Sequence, residues 1–339
     1  MQELLEIKKM GKQSIPLEKR VSLVSTATVA GPKESLGPLT DYFDRRNSDN
    51  IIKEKSFEKA EAHMLEESCF LSLGKVGLTP GDIDFFIAGD LLNQIISANI
   101  CARKLAIPYF GIYGACSTLT EGMSLGTLLI EGGFAEHVLV GTSSHNSTAE
   151  RQYRYPTEYG YQPPGYSQQT VTGAGAVVLG TGGKGPAVES ITVGKVVDPG
   201  ITDAFDLGSA MSAAAVDTIY QHFMDTQRGP SYYDLILTGD LGAVGSKLTQ
   251  EALASKKYYI NSNYIDCGNL LYHSHQNTNA GGSGCATSAL VFLGYIYHRM
   301  INDELKKVLL VTTGALHSPT TVMQGESIPA VAHALALEV

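Results

Sequence analysis

The sequence has no tryptophan, and its five cysteines include no Cys-x-x-Cys pair. An odd number of cysteines without paired spacing argues against both a disulfide framework and a zinc site. No apolar run approaches the roughly 20 residues that a membrane-spanning helix needs. The opening residues, MQELLEIKKMGKQS, lack the apolar segment of a signal peptide. These absences predict a protein of cytosolic type without a metal site, which could still attach to a membrane partner from outside the bilayer.

Positive charge is also scarce. The 339 residues carry 25 Lys and Arg against 34 Asp and Glu, a net charge of −9. Because an acidic chain lacks the broad cationic surface that binds a phosphate backbone, no nucleic-acid partner is expected. A small anionic ligand would need a local cluster of Arg, Lys or His. With 43% hydrophobic residues, the chain is globular in composition and long enough for about two domains.

One arrangement of elements occurs twice along the chain. In each copy a helical stretch leads into a short apolar strand ending in Gly-Asp, at Gly89 and at Gly239. A glycine-rich turn then opens another helix, in which Gly126 corresponds to Gly294, and a further apolar strand follows. Continuous apolar strands are typical of parallel sheets covered by helices on both faces. The repeat predicts two similar α/β halves that share a core.

The boundary between the halves is expected near residues 186–198, which divides the chain into residues 1–190 and 191–339. The first half includes a long polar and aromatic segment, residues 143–170, after a strand ending at Thr142. A structureless stretch of this length in a compact domain is usually functional or disordered. This segment is therefore a candidate source of ligand-binding side chains.

Two other glycine-rich stretches do not indicate a nucleotide cofactor. GTGGKGP, at residues 180–186, lacks the Walker spacing and is interpreted as a turn between strands. In TGAGAVVLG the glycines precede a strand and no helix follows, unlike a dinucleotide-binding loop. No cofactor is predicted.

The duplication, together with a helix that starts at GACST, resembles the thiolase and ketoacyl-synthase fold. The strings AGPKESLGPL, SSHNSTAERQYRYPTEYG, YDLILTGDLGAVGS and TTGALHSP resemble the stage V sporulation protein AD family of endospore-forming bacteria. The resemblance implies thiolase-like duplicated α/β halves in a layered αβαβα arrangement. It also implies binding of dipicolinic acid, pyridine-2,6-dicarboxylate, for its uptake into the developing spore.

The same resemblance implies where the protein acts and with what. It places the chain in the forespore or spore, peripherally associated with the spore inner membrane. Other spore membrane proteins of the same uptake system are the expected partners. A homodimer, paired across an edge strand near the candidate cysteine, is expected from the fold.

Cys116, in GIYGACSTLTEG, occupies the position of the nucleophile in the enzymes of this fold. A helix N-terminus stabilises a thiolate and lowers the cysteine pKa from about 8.5. Gly114 and Ala115 leave room for a ligand, and Ser117 could cap the helix or offer its N–H to a carboxylate. The alternative is an inert core cysteine. The position in the motif favours Cys116 lining a ligand pocket.

The rest of a catalytic set is missing from the expected positions. Condensing enzymes carry a His after the second-half strand, where this sequence has Gly239 and Asp240, and the thiolase His position corresponds to Thr278. His275 lies nearby in sequence, and His317 is the other histidine that could face the cleft. Because a nucleophilic cysteine needs a base and an oxyanion site, we expect a vestigial site that binds without catalysis.

Dipicolinate presents two carboxylates on an aromatic ring, so its binding requires N–H donors, cations and a flat wall. The segment SSHNSTAERQYRYP is rich in such side chains, although its Arg and Glu residues could instead pair with one another on a surface loop. The family resemblance favours the pocket. The predicted ligand-binding residues are Cys116, Ser117, His145, Arg151, Arg154, Tyr155, Asp240, Ser283 and His317.

Three functions remain in competition. The first, preferred, is a non-enzymatic protein that binds dipicolinic acid, either free or as its calcium chelate. The second is a cysteine-dependent acyltransferase or condensing enzyme that pairs Cys116 with an unconventional base, His275 or His317. The third is a scaffold with a vestigial cleft, for which no small ligand would raise the thermal stability.

Overall fold

A computed structural model describes residues 8–153 and 162–339 of the chain. The strands are β1 Ser14–Ala30, β2 Arg45–Arg46, β3 Phe85–Gly89, β4 Tyr109–Gly111, β5 His137–Ser144, β6 Gln169–Thr170, β7 Gly173–Thr181, β8 Ala187–Thr192, β9 Leu235–Thr238, β10 Tyr264–Asp266, β11 Gly282–Ser283, β12 Lys307–Ala315 and β13 Ala330–Glu338. The helices are α1 Phe57–Gly74, α2 Ile96–Leu105, α3 Thr118–Glu131, α4 Asn146–Tyr153, α5 Leu207–Thr226, α6 Gly242–Ser255, α7 Cys267–Leu270, α8 Cys285–Ser288, α9 Tyr297–Ile301 and α10 Pro319–Met323. A π-helical segment, Ala289–Ile296, joins α8 to α9.

The main sheet is symmetric about its centre. Its strands follow the order β10-β9-β12-β13-β8-β1-β7-β5-β3-β4, and β2 pairs with β1. Each half therefore repeats one five-strand pattern, in which β7 and β13 run antiparallel to both of their neighbours. The predicted boundary at residue 190 lies inside β8, and the strand order groups β8 with the second half. The structural division thus falls before Ala187.

The two halves also share a hydrogen-bonding pattern at the start of corresponding strands. The carboxylate of Asp84 accepts the backbone N–H groups of His137, at 3.1 Å, and of the residue before it, at 2.7 Å. In the second half Asp234 accepts the N–H groups of Lys307, at 2.9 Å, and of the residue before it, at 2.8 Å. Each carboxylate therefore accepts two backbone N–H groups at the start of a strand, which is β5 in the first half and β12 in the second. This detail agrees with the predicted duplication.

Helices separate and cover the two halves of the sheet. Helix α1 packs on β1, β5 and β7, with α2 beside it, and α5 packs on β12 and β13, with α6 beside it. Helix α3 contacts strands of both halves, and the π-helical segment packs on β1 and β7. Apolar side chains of these central helices, such as Leu119, Met123 and Phe292, are fully buried. The predicted αβαβα layering is confirmed.

The segment 143–170 differs in part from the expected long loop. Strand β5 continues to Ser144, and α4 begins directly after it. The Asn146 N–H donates to the Thr172 hydroxyl at 3.0 Å, and the Ser147 N–H donates to His145 Nδ1 at 3.1 Å, so the first two backbone donors of α4 have acceptors. Periodicity did not reveal this helix because its residues are mostly polar.

No helix of the described ranges is long and apolar enough to span a bilayer.

His222, on α5, is a buried histidine held between two hydroxyl groups. Its Nδ1 lies 2.7 Å from Thr192 Oγ1, and its Nε2 lies 2.5 Å from the Tyr233 hydroxyl. Burial, together with the positive charge of Arg228, lowers the pKa of His222 from 6.5 to about 4. The ring is therefore neutral in the folded protein at neutral pH.

The stability conferred by His222 should depend on pH. Since the folded-state pKa is below the unfolded one, the unfolded chain takes up the proton first, and stability is lost as the pH falls from 6.5 toward about 4. The difference in unfolding free energy between the wild type and His222→Gln should shrink by about 1 kcal/mol per pH unit in this window. Urea unfolding at several pH values measures it. A difference that does not change with pH would contradict this expectation.

Candidate functional site

A partly open cavity lies between the two halves, at the turn that leads into α3 and the turn that leads into α8. Its walls are mostly small or apolar, with a few hydroxyl, carboxyl and imidazole groups. The lining residues in the described part of the chain are Leu91, Ala115, Cys116, Ala149, Glu150, Tyr153, Thr170, Ala204, Leu207, Ser283, Gly284, Ala315 and His317. Both halves contribute, so the site exists only once they have packed together.

The turn that carries Cys116 is held by close backbone contacts. Ala115 has a positive φ of 50°, and Ser117 donates its hydroxyl hydrogen to the Gly114 carbonyl at 2.7 Å. A Cβ atom at Gly314 of β12 would lie 2.0 Å from that same carbonyl oxygen, so only glycine fits there. Ser117 is thus fully buried within the turn and is not among the described lining residues.

A chain of hydrogen bonds runs from Cys116 into the second half. The Ser283 hydroxyl donates to the Asp240 carboxylate at 2.7 Å, and Cys116 Sγ lies 3.9 Å from Ser283 Oγ. Asp240 also accepts the Gly284 N–H at 3.0 Å and the Thr313 hydroxyl at 2.8 Å. Because the Ser283 proton is directed to Asp240, its oxygen is left to accept from the thiol. Asp240 therefore lies behind the lining and orients Ser283.

The environment of Cys116 favours the protonated thiol. Burial raises the pKa of this thiol well above its usual value, and the negative charge of Asp240 raises it further. The expectation that the helix N-terminus would lower this pKa is wrong, because desolvation and the nearby carboxylate outweigh the helix dipole. Cys285 is also fully buried, and its thiol donates to the Ala115 carbonyl at 3.0 Å.

The two candidate bases occupy different places. His317 lines the cavity, where its ring stacks on Tyr153 with centroids 5.0 Å apart and an interplanar angle of 26°. His275 lies in the short turn Ser274–Gln276, is exposed, and stacks on His273. Neither His275 nor Thr278 is among the described lining residues. The hypothesis that a loop brings His275 to Cys116 is therefore not supported by this structure.

His145 and Arg151 face α1 instead of the cavity. The buried His145 ring has Nε2 2.8 Å from the Asn50 carbonyl and packs on Phe57 with centroids 5.2 Å apart. Arg151, with 57% of its side chain exposed, forms a salt bridge to Glu58 of α1. Both side chains contact α1, and neither is among the described residues that line the cavity.

Thr148 lies on the same face of α4. It donates to the buried carboxyl of Glu61 in α1 at 3.0 Å, and the Ser143 hydroxyl donates to that carboxyl at 3.1 Å. Burial, and then the negative charge of Asp90, raise the pKa of Glu61 well above its usual value. The Glu61 carboxyl thus connects α1, β5 and α4, and it sets the position of the helix that forms one wall of the cavity.

The opposite face of α4 forms that wall. Ala149, Glu150 and Tyr153 line the cavity. The neighbouring Gln152 side chain accepts the Asn93 N–H at 2.9 Å and donates to the Leu91 carbonyl at 3.1 Å, and the Tyr153 hydroxyl also donates to Leu91. Sequence reasoning missed Leu91 and Ala149. Helical spacing would have separated residues 148 and 151 from 149 and 153, had the helix been recognised.

Of the predicted ligand-binding residues, Cys116, Ser283 and His317 meet in the cavity. Arg154 and Tyr155 lie outside the described residues. No group of three or more His, Cys, Asp or Glu side chains in the described ranges could hold a metal ion.

The amino-acid sequence matches a known protein family. The sequence model of stage V sporulation protein AD matches residues 11–338. The chain belongs to this family. A stage V sporulation protein AD from Bacillus subtilis (strain 168) is 48% identical over 332 residues, which cover 98% of each chain.

Solved structures with a similar fold include a synthase and variants of OleA. 3-Oxoacyl-[acyl-carrier-protein] synthase III from Aquifex aeolicus VF5 has a TM-score of 0.57 and 16% identity, covering 94% of this chain and all of its own. A variant of OleA from Xanthomonas campestris has a TM-score of 0.64 and 12% identity, covering 96% of this chain and all of its own. At such low identity the likeness establishes the fold alone. The fold of this family member is thiolase-like.

Cys116 should react slowly with iodoacetamide in the native protein at neutral pH, because the thiolate is the reactive form and burial disfavours it. Mass spectrometry of peptides after timed alkylation measures the modification at each cysteine. The same protein unfolded in guanidinium should be alkylated at least about a hundredfold faster, and it serves as the control. Rapid native modification confined to Cys116 would contradict the assignment of a protonated thiol and would favour the acyltransferase hypothesis.

Proposed function

We propose that this sporulation protein binds dipicolinic acid in the cavity around Cys116 and supports its uptake into the spore. The observation that carries the proposal is a cavity at the nucleophile position in which Cys116 Sγ is buried and lies 3.9 Å from Ser283 Oγ. Such a site keeps the shape of an acyl-transfer pocket but disfavours its chemistry. The family resemblance supplies the identity of the ligand.

The cavity suits a small aromatic acid in the nature of its walls, which are mostly small or apolar with a few polar groups. The stacked rings of Tyr153 and His317 offer a flat surface for a pyridine ring. Thr170 contributes a hydroxyl group, and the start of α3 beside Cys116 is the positive end of a helix dipole. These features would orient two carboxylates.

The proposed role in uptake requires partners. We propose that the chain acts at the periphery of the spore inner membrane with membrane proteins of the same uptake system, as the resemblance implies. Calorimetric titration with and without calcium distinguishes the free acid from its calcium chelate as the cargo.

The affinity for dipicolinate should depend on the cavity face of α4. Calorimetric titration of the wild type, with and without calcium, should give saturable binding, and Ala149→Leu should weaken it at least about tenfold by filling the cavity. Arg151→Ala is the matched control on the same helix, and we expect its affinity to stay within about twofold of the wild type, because Arg151 faces Glu58.

Thermal unfolding would verify that both variants fold. If neither ligand form binds to the wild type, the proposal fails, and acyl-CoA turnover becomes the assay to run. If Arg151→Ala loses binding and Ala149→Leu does not, the ligand lies on the other face of α4.

We also propose a homodimer across the edge strand β4. Phe110 and Tyr113, at and just after this strand, are 49% and 42% exposed. An open strand edge with exposed aromatic rings is a ready surface for pairing with a second copy. Sedimentation analysis should show a dimer that Phe110→Glu dissociates, whereas Phe134→Glu, at a 74% exposed position away from β4, should not. A monomeric wild type would refute this assembly.

A further inference from the structure

Two lysine-containing segments that are distant in sequence meet at the C-terminal end of α5. Lys9 and Lys12 precede β1, and Lys256 and Lys257 follow α6. The carboxylate of Asp225, on α5, accepts the backbone N–H of Lys12 at 2.9 Å. Met224, the residue before Asp225 on α5, contacts the second segment, because the Tyr258 hydroxyl donates to Met224 Sδ at 3.7 Å. Consecutive residues of α5 therefore bring the two segments side by side.

Exposed apolar and aromatic groups lie among these lysines. Met224 is 51% exposed and Tyr259 is 69% exposed. Lys256 Nζ lies 4.6 Å from the centre of the Tyr220 ring, and the Tyr258 ring packs on Phe223 with centroids 5.0 Å apart. The packed rings hold the second segment against α5. We call Lys9, Lys12, Met224, Lys256, Lys257 and Tyr259 together the basic–aromatic surface.

The four lysines of this surface carry more positive charge than the Asp225 carboxylate beside them offsets. All four lysines are exposed, and none forms a salt bridge with another described residue. The Asp225 carboxylate accepts backbone N–H groups of the first segment and forms no salt bridge with these lysines in the described structure. Lys8 pairs with Glu18 and Lys247 with Glu251, so they are not counted. In a chain of net charge −9, such a cluster is a local exception that attracts an anionic partner.

We propose that the basic–aromatic surface binds the anionic headgroups of a lipid bilayer. Lysine ammonium groups are attracted to an anionic leaflet, while Tyr259 and Met224 can enter its interfacial region. A lipid surface fits better than a small anion because the charges are spread over two segments and surround apolar groups. The inference rests on the proposed membrane location and is independent of dipicolinate binding.

The position of the surface leaves the cavity accessible. Leu207, at the first residue of α5, lines the cavity, whereas Met224 lies near the other end of the helix. At 1.5 Å per residue, the two are about 25 Å apart along the axis. A chain bound to lipid through this surface could therefore still exchange its ligand.

Cosedimentation with vesicles tests the proposal directly. The wild type should bind vesicles of phosphatidylglycerol and phosphatidylcholine but not of phosphatidylcholine alone, and the binding should weaken in high salt. The double variant Lys256→Glu/Lys257→Glu should lose at least about tenfold in apparent affinity. The matched control is Lys53→Glu/Lys55→Glu, the same charge change at exposed lysines before α1, which should bind like the wild type. Tyr259→Ser should weaken binding while the charge is retained.

Two outcomes would overturn the inference. If the wild type does not prefer anionic vesicles, lipid is not the partner, and any membrane location would depend on a protein. If both double variants lose binding equally, net charge and not this surface is responsible. Calorimetric titration of each variant with dipicolinate keeps the two proposals separate, since a loss of lipid binding should leave that affinity unchanged.

Discussion

The buried carboxylate of Asp240 is the constraint on which the site depends. It accepts hydrogen bonds from Ser283, Gly284 and Thr313, so one side chain after β9 connects the start of α8 to β12. The same carboxylate directs the Ser283 proton away from Cys116, and it adds to the effect of burial, the larger cause, in raising the pKa of the thiol. A single buried acid thus joins the packing of the second half to the chemical state of a cysteine in the first.

Helix α4 shows how a polar segment can build a pocket without placing its charges there. One face is occupied by contacts to α1, through His145, Thr148 and Arg151, and the other presents Ala149 and Tyr153 to the cavity. Arg151, a cation that looked suited to a dicarboxylate, instead attaches α4 to α1, while the stacked rings of Tyr153 and His317 form the wall. The lining of the cavity in the described part of the chain therefore presents stacked rings and hydroxyl groups, with no Arg or Lys side chain among them.

The proposed roles are separated along one helix. The N-terminal end of α5 contributes Leu207 to the cavity, and its C-terminal end organises the basic–aromatic surface through Met224 and Asp225. A rigid helix between the two places keeps ligand exchange and lipid contact apart. On an acidic protein, a compact basic surface also limits the orientation in which the chain can approach an anionic bilayer.

The sequence by itself determined the fold class, the duplicated order of elements, and the positions of Cys116, Ser283 and His317, because buried strands and glycine-rich turns leave strong local patterns. It did not reveal α4, since a polar helix held by side-chain contacts to α1 has no apolar stripe to detect. Tertiary structure alone decided that His145 and Arg151 face away from the cavity and that Cys116 stays protonated. Those properties depend on desolvation and on partners such as Glu58 and Asp240, which lie far from these residues in sequence and become neighbours only when the layers pack together.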